Sequence, residues 1–225
     1  MPEAPRFTVE FGKDGSRVPE DGRLDATAFH RNHAAIADLL VRELEGRAGD
    51  ALEVGSGTGQ HVVEFARRLP ALTWWPTDFN DSHLRSIAAW RTFAKLGNVK
   101  PPVRLDASAA DWLLESRGLP SRFAAIFCAN VIHIAPWVVA EGLFAGASRH
   151  LETGGLLFLY GPFRRDGQHN APSNAAFDES LRHRNPEWGV RDTVDLRALG
   201  ARNGLRLRGI DELPSNNAIL TFERA

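Results

Sequence analysis

The 225-residue chain is poor in several things, and each scarcity excludes something. It holds a single cysteine, Cys128, so no disulfide can form within it and a reducing compartment fits. It has no excess of charge: 27 basic residues face 28 acidic ones, a formal net charge of −1. Overall electrostatics therefore give no reason to expect nucleic acid or an anionic membrane as partner. Lysine is nearly absent, limited to Lys13, Lys95 and Lys100, and the arginines are scattered rather than clustered. No apolar run approaches membrane-spanning length, and "MPEAPRFTVEFGKDGSRVPEDG" lacks the apolar centre of a signal peptide. No Cys/His spacing matches a metal site, so none is expected. The expectation is a soluble, cytoplasmic protein.

What is present is an ordinary globular composition, 43% hydrophobic and 24% charged, in a chain long enough for one well-cored domain. Residues 1–25 are polar and rich in Gly and Pro, which reads as an arm. From Ala26 to Leu44, Phe29, Ile36, Leu39, Leu40 and Leu44 recur at helical spacing. The chain then alternates, with strands expected near 51–54, 72–77, 102–106, 123–129 and 155–160. Helices are expected near 59–69, 81–96 and 136–150, and a shorter one near 109–116. Such alternation means βαβ units and a parallel sheet, hence an α/β fold with helices on both faces. The stretches "LRLRGIDELP" and "NAILTFERA" read as a closing hairpin. Residues 162–192 form a polar insertion too long for a passive connection, a lid or site wall within the single domain 26–225.

The chemistry starts at "ALEVGSGTGQH", Ala51 to His61. A triphosphate loop needs Gly-Lys-Ser/Thr, but Gln60 and His61 follow Gly59. The dinucleotide pattern G-x-G-x-x-G accommodates Gly55 and Gly57, but its third position is Gln60. Glu53, at the strand end, favours a cation over a pyrophosphate. S-adenosylmethionine (SAM) has an ammonium and a sulfonium and no phosphate. Asp78 then ends the second strand, roughly 20 residues past the loop, where a carboxylate can accept both ribose hydroxyls. Phe79 can lie against the adenine, and Asp106 can accept its amino group. Asn130 and His133 follow the strand next to the glycine loop. Each acidic residue alone is a weak signal, since an Asp after a strand is more often a cap or turn former, but three in succession after distinct strands, Glu53, Asp78 and Asp106, favour SAM.

On "LEVGSGTGQH", "WWPTD", "LDAS", "ANVIHIAP", "LYGPF", "RNPEWGVRDT" and "PSNNAILTF", the chain resembles the class I SAM-dependent methyltransferases. Within them it is similar to the methyltransferase-like protein 26 family, from about Ala26 to the C-terminus. The resemblance implies a Rossmann-like seven-stranded sheet in order 3-2-1-4-5-7-6, with the seventh strand antiparallel. It implies that Glu53, Gly55, Gly57 and Gly59 meet the methionine side of the cofactor, Asp78 the ribose, and Asp106 with Ala107 the adenine. Arg31 and Asn32, in "HRN", correspond to a clamp on the methionine carboxylate.

The acceptor side leaves more alternatives. Methyl transfer is an in-line displacement, and a base is needed only if the acceptor loses a proton. His133 is the candidate base, or else it caps the following helix. Asn130 meets the SAM amine or an acceptor, or simply holds backbone. Tyr160 lines the acceptor pocket, or is a buried tyrosine with a satisfied hydroxyl. In the insertion, Asn174, Arg184, Trp188 and Arg191 are candidate substrate contacts, Arg184 or Arg191 meeting a carboxylate or phosphate. The alternative is that these residues tie the insertion down. The expected function is a methyltransferase for a small-molecule acceptor. Its rivals are a catalytically idle SAM-binding module and, less favoured, a nicotinamide-dependent oxidoreductase.

Overall fold

The computed structural model describes residues 21–225, so positions 1–20 of the expected arm lie outside the described residues. The elements are α1 (Thr27–Glu43), β1 (Gly49–Val54), α2 (Gln60–Arg68), β2 (Leu72–Asp78), α3 (Asp81–Ala94), β3 (Val103–Arg104) and β4 (Phe123–Ala129). There follow α4 (Trp137–His150), β5 (Leu151–Gly161), β6 (Arg164–Arg165), β7 (Gln168–His169), α5 (Pro172–Arg184), α6 (Thr193–Arg202), β8 (Leu205–Leu213) and β9 (Asn217–Arg224). The main sheet has seven strands in order β3-β2-β1-β4-β5-β9-β8. This is the expected order, since the small hairpin β6/β7 within the insertion takes two numbers. β1 to β5 are parallel, and β9 runs antiparallel to both β5 and β8.

The two faces of the sheet follow the two-residue period of its strands. Leu156, Phe158 and Tyr160 of β5 face α1 and α2, packing with Ile36, Leu40, Phe65 and Phe127. Leu157 and Leu159 face the other way, onto Leu143 and Phe144 of α4 and Leu196 of α6. Tyr160 is therefore on the side of the first helix, which decides its neighbours. Of the described helices, none is long and apolar enough to cross a membrane.

Two expectations change. In place of a helix near 109–116 there is only a 3-10 turn at Glu115–Arg117. Trp112 is the reason: its ring fills a notch where a β-carbon on Gly146 of α4 would lie 2.2 Å away. Burying that ring pulls the chain out of helical geometry, and Leu113 takes φ +48. The strand expected over 102–106 shortens to Val103–Arg104, which leaves Asp106 in a loop.

Residues 21–26 lie across α2 and α3. The Leu24 N–H donates to Ser86 Oγ at 2.9 Å, and Trp90 Nε1 donates to the Leu24 carbonyl at 2.8 Å. The Ala26 N–H donates to Gln60 Oε1 at 2.8 Å, while Gln60 Nε2 donates to Asp25 Oδ1 at 2.6 Å. Arg23 lies over the Phe93 ring, 3.6 Å from its centre. Gln60, the residue that departs from the dinucleotide pattern, is thus the anchor of this strap.

Candidate functional site

The parallel strands end together at one rim, where the loops after β1, β2, β4 and β5 meet, as ligand crevices of open α/β sheets do. The loop after β1 turns through three glycines in the left-handed region, at φ +72, +57 and +90 for Gly55, Gly57 and Gly59. Side chains are excluded here twice over. A β-carbon on Gly55 would lie 2.4 Å from Val131, and one on Gly59 would lie 2.8 Å from the Ile87 backbone. Glycine is required for both conformation and space.

Glu53, just before this loop, is 2% exposed, and its Oε2 has no hydrogen-bond partner. Burial outweighs a hydrogen bond from Ser56 and, with a smaller push from the Asp78 charge, raises its carboxyl to about 8. A buried carboxyl oxygen without a partner is costly, and such perturbed groups cluster at functional sites, so Glu53 is a candidate for contact with a cationic group. Asp78, at the end of β2, holds the loop in place. Its Oδ2 accepts from the Gly57 N–H at 2.8 Å, and its Oδ1 accepts from the Asn80 N–H at 2.9 Å. His83 Nδ1 lies 3.0 Å from the same Oδ1. The sequence gives no hint of His83; a histidine one turn into the following helix carries no signal until the fold brings it back.

The adenine-side candidates are looser. Phe79 is half-buried with the Arg104 guanidinium 5.9 Å from its ring centre. Asp106 Oδ1 accepts from the N–H and hydroxyl of Ser108, at 2.9 and 2.6 Å, forming a local turn. Ala107 is buried, and its carbonyl closes against Gly142 of α4.

On the α1 side, Asn32 is buried and its Oδ1 lies 3.0 Å from His61 Nε2, while Arg31 is exposed. Burial, with His33 nearby, lowers the His61 imidazole to about 4, so it is neutral and donates from Nε2 to Asn32. Tyr160, the chain's one tyrosine, is buried beside Asn32, Asn217 and Arg31, and burial raises its hydroxyl above the usual range. Asn217 is a further residue that sequence reasoning missed, although the motif "PSNNAILTF" contains it. It reaches the rim because β9 runs antiparallel and so begins where β5 ends.

Four candidates need correction. His133 is fully enclosed, and its Nδ1 accepts the Arg191 N–H at 3.3 Å. With that lone pair used, the proton sits on Nε2, against Gly161, where the ring can only donate. A base at Nε2 does not fit this arrangement. Arg191 is not free for an anion: its guanidinium donates to the carbonyls of Ile132, Ala135 and Glu187, at 2.8, 2.6 and 2.9 Å. Arg184 is exposed and bonds to Ser180 of its own helix, turned away from the buried face of Asn174, Asp178 and Leu181. Asn174 ties α5 to the β8–β9 turn, donating to Asn170 Oδ1 and the Asn216 carbonyl, both at 2.7 Å. Trp188 is buried within the insertion. Asn130 remains at the rim, half-buried, in the left-handed conformation at φ +60.

The sealed His133 gives a pH prediction. Burial, helped by the Arg191 charge, lowers its imidazole from 6.5 to about 3. The unfolded chain takes up a proton below about 6.5 that the folded chain refuses, so this contribution is complete above that pH and is lost on acidification. The stability advantage of wild type over His133→Gln should fall by ~1.4 kcal/mol per pH unit below about 6.5. Urea denaturation of both proteins across that range checks it; parallel curves would show that the ring is not buried neutral.

The family described as "Protein of unknown function (DUF938)" matches residues 23–224. Among solved structures, an O-methyltransferase family 2 protein from Planctomyces limnophilus in complex with apigenin has a TM-score of 0.71 at 16% identity. That match covers 86% of this chain and 56% of the other. An O-methyltransferase family protein from Burkholderia thailandensis has a TM-score of 0.69 at 16% identity, covering 86% of this chain and 59% of that one. CalO1, a methyltransferase in calicheamicin biosynthesis in its SAH bound form, has a TM-score of 0.66 at 19% identity. There the shares covered are 85% and 54%. The chain thus spans little more than half the length of these structures, and what it shares with them is the Rossmann-like methyltransferase fold.

Proposed function

We propose that this chain, which belongs to the family described as "Protein of unknown function (DUF938)", is a SAM-dependent methyltransferase acting on a small-molecule acceptor. The observation that carries this reading is the buried carboxyl of Glu53, with its Oε2 left without a partner, beside a loop of left-handed glycines. The cofactor supplies an electrophilic methyl group on a sulfonium, transferred in line to a nucleophile. Its ammonium fits Glu53, and its main-chain-hugging portion fits the glycine cradle. A pyrophosphate offers no counter-charge to the buried Glu53 carboxyl, so a dinucleotide fits poorly. The motif resemblance to the methyltransferase-like protein 26 family supports the same reading.

In this proposal Glu53 holds the ammonium, Asp78 the ribose, and Phe79, Asp106 and Ala107 the adenine side. Arg31 and Asn32 meet the methionine carboxylate. Asn130, Tyr160 and Asn217 line the space between cofactor and acceptor. Since His133 is closed off, this chain contributes positioning and water exclusion rather than an imidazole base. Acceptors whose nucleophilic atom carries no proton, or loses it readily to water, suit such a site.

Calorimetry tests the donor: SAM should bind the full chain at one site, with NAD showing no heat. Binding of NAD in place of SAM would overturn the reading. Incubation with a cell extract and isotopically labelled SAM then tests turnover. Labelled product identifies the acceptor, and SAM binding without any transfer would favour an idle binding module.

A further inference from the structure

The insertion contains an unassigned pair of nitrogen-bearing side chains. β6 and β7 form a two-stranded hairpin that starts three residues past the end of β5, with Arg164 directly opposite His169. Directly opposed residues project from the same face of a β-ribbon, so these two side chains share one side. That side is turned to α5, because His169 Nε2 lies 3.3 Å from Asp178 Oδ2. Asp178 is fully engaged. It accepts the Val190 N–H at 2.7 Å and lies 3.2 Å from Arg182 Nε. Burial pushes its carboxyl up, but these donors with His169 outweigh that and hold it below its usual value.

The surroundings leave the Arg164 and His169 nitrogens over. Arg164 Nε and His169 Nδ1 are both buried and without partners. The nearby carboxylates are already committed. Asp178 is shared with Arg182, and Asp192, whose backbone bridges that of Arg164, accepts the Gly167 and Val194 N–H groups at 2.7 and 2.9 Å. Arg191, the other nearby cation, is bound by three carbonyls. Buried polar atoms are normally satisfied, and the Arg164 Nε–H, a donor in every state, asks for an external acceptor. The corner adjoins the rim: the Gly189 N–H, beside Asp178, donates to the His133 carbonyl, and His133 packs on Gly161 at the end of β5.

We propose that Arg164 and His169 receive an anionic oxygen group of the acceptor, a carboxylate or a phosphate. This deepens the methyltransferase reading and rests on it for the word acceptor. Arg164 supplies its Nε–H and fork geometry. His169 meets Asp178 through Nε2, so Nδ1 is the ring nitrogen left to meet the same group. The role expected in the sequence of Arg184 or Arg191 moves to a residue that the strand register places opposite a histidine.

The test follows the His169 imidazole by NMR in the full chain, titrated with inorganic phosphate and, separately, with acetate. Wild type should show a saturable shift with one or both anions in the millimolar range. Arg164→Gln should weaken it at least tenfold. Arg165→Gln should leave it unchanged, because Arg165 pairs with Glu212 at 2.5 Å on the opposite face. Which anion saturates distinguishes a phosphate from a carboxylate. No saturable shift in wild type, or an Arg164→Gln protein that titrates like wild type, would overturn the proposal. SAM calorimetry on the same Arg164→Gln sample should match wild type, which establishes that the variant is folded. Loss of SAM binding in wild type itself would sink the methyltransferase reading while leaving the anion titration readable. If Arg164→Gln does not fold, His169→Gln, followed by phosphate calorimetry, makes the same comparison.

Discussion

Glu53→Gln should make this protein more stable and weaken its proposed binding of SAM. In the folded chain the carboxyl is raised from 4.5 to about 8, chiefly by burial. Between those values the folded state keeps a proton that the unfolded state has lost, so stability falls as pH rises through that window. At pH 7 the native carboxyl therefore costs about 3 kcal/mol relative to a group that never ionises. An amide of the same shape removes that cost. A gain of ~3 kcal/mol at pH 7, shrinking to nothing near pH 4.5, is the expected result. In a domain of this size it corresponds to a rise in melting temperature of roughly 6–12 °C.

The same substitution removes the proposed counter-charge of the ammonium. SAM affinity should fall by at least ~100-fold, about 3 kcal/mol for one partner of a buried charge pair. Wild-type binding should also release close to one proton at pH 7, because Glu53 is protonated when free and ionised when paired. Calorimetry in buffers of different ionisation enthalpy measures that proton. An unchanged melting temperature would show that the carboxyl is not desolvated. Undiminished SAM binding would show that it is not the ammonium's partner. Between about pH 4.5 and 6.5 the Glu53 and His133 contributions have opposite slopes, so each is read as a difference from its own variant.

The second large effect is expected at Asp78. Asp78→Ala removes the acceptor of the Gly57 and Asn80 N–H groups and one of the contacts of His83. A stability loss of about 2 kcal/mol follows from leaving buried donors unmatched. SAM affinity should drop by ~3 kcal/mol or more, since the loop loosens and the ribose loses a charge-assisted acceptor. These two causes can be separated with a deoxyribose analogue of S-adenosylhomocysteine. Wild type should discriminate against it by at least tenfold, and Asp78→Ala should hardly discriminate at all. Equal discrimination by both proteins would mean that Asp78 ties the loop and does not touch the ribose.

Much of the fold is legible in the sequence because its signals are local. The apolar period of α1, the alternation of strand and helix, and the closing hairpin all appear as patterns within a single window. The glycine loop is readable for the same reason: its left-handed turns require glycine at fixed spacing, and Glu53 is adjacent in sequence. The short helix expected near 109–116 does not form because Trp112 answers to Gly146, a contact between positions far apart. The third strand is shorter than its apolar pattern suggests, since the chain leaves the sheet at Leu105.

The acceptor side is legible only in outline. That residues 162–192 form a substantial insertion follows from length and polarity, but which arginine is spoken for does not. Arg191 looks free in sequence and is held by three carbonyls; Arg164 looks like any surface arginine and has a buried nitrogen to spare. His133 and His61 differ in sequence only in their neighbours. The fold seals the first against Gly161 and stations the second behind Asn32.

By itself, then, the sequence determined the α/β architecture, the turn geometry of the glycine-rich loop and the placement of acidic residues at successive strand ends. These depend on residue type and short-range spacing, which a chain cannot disguise. Only the tertiary structure decided which polar groups are already satisfied and which are left over. Hydrogen-bond capacity is used up by partners distant in sequence, and burial, which sets the charge state of Glu53 and His133, belongs to the packed molecule alone.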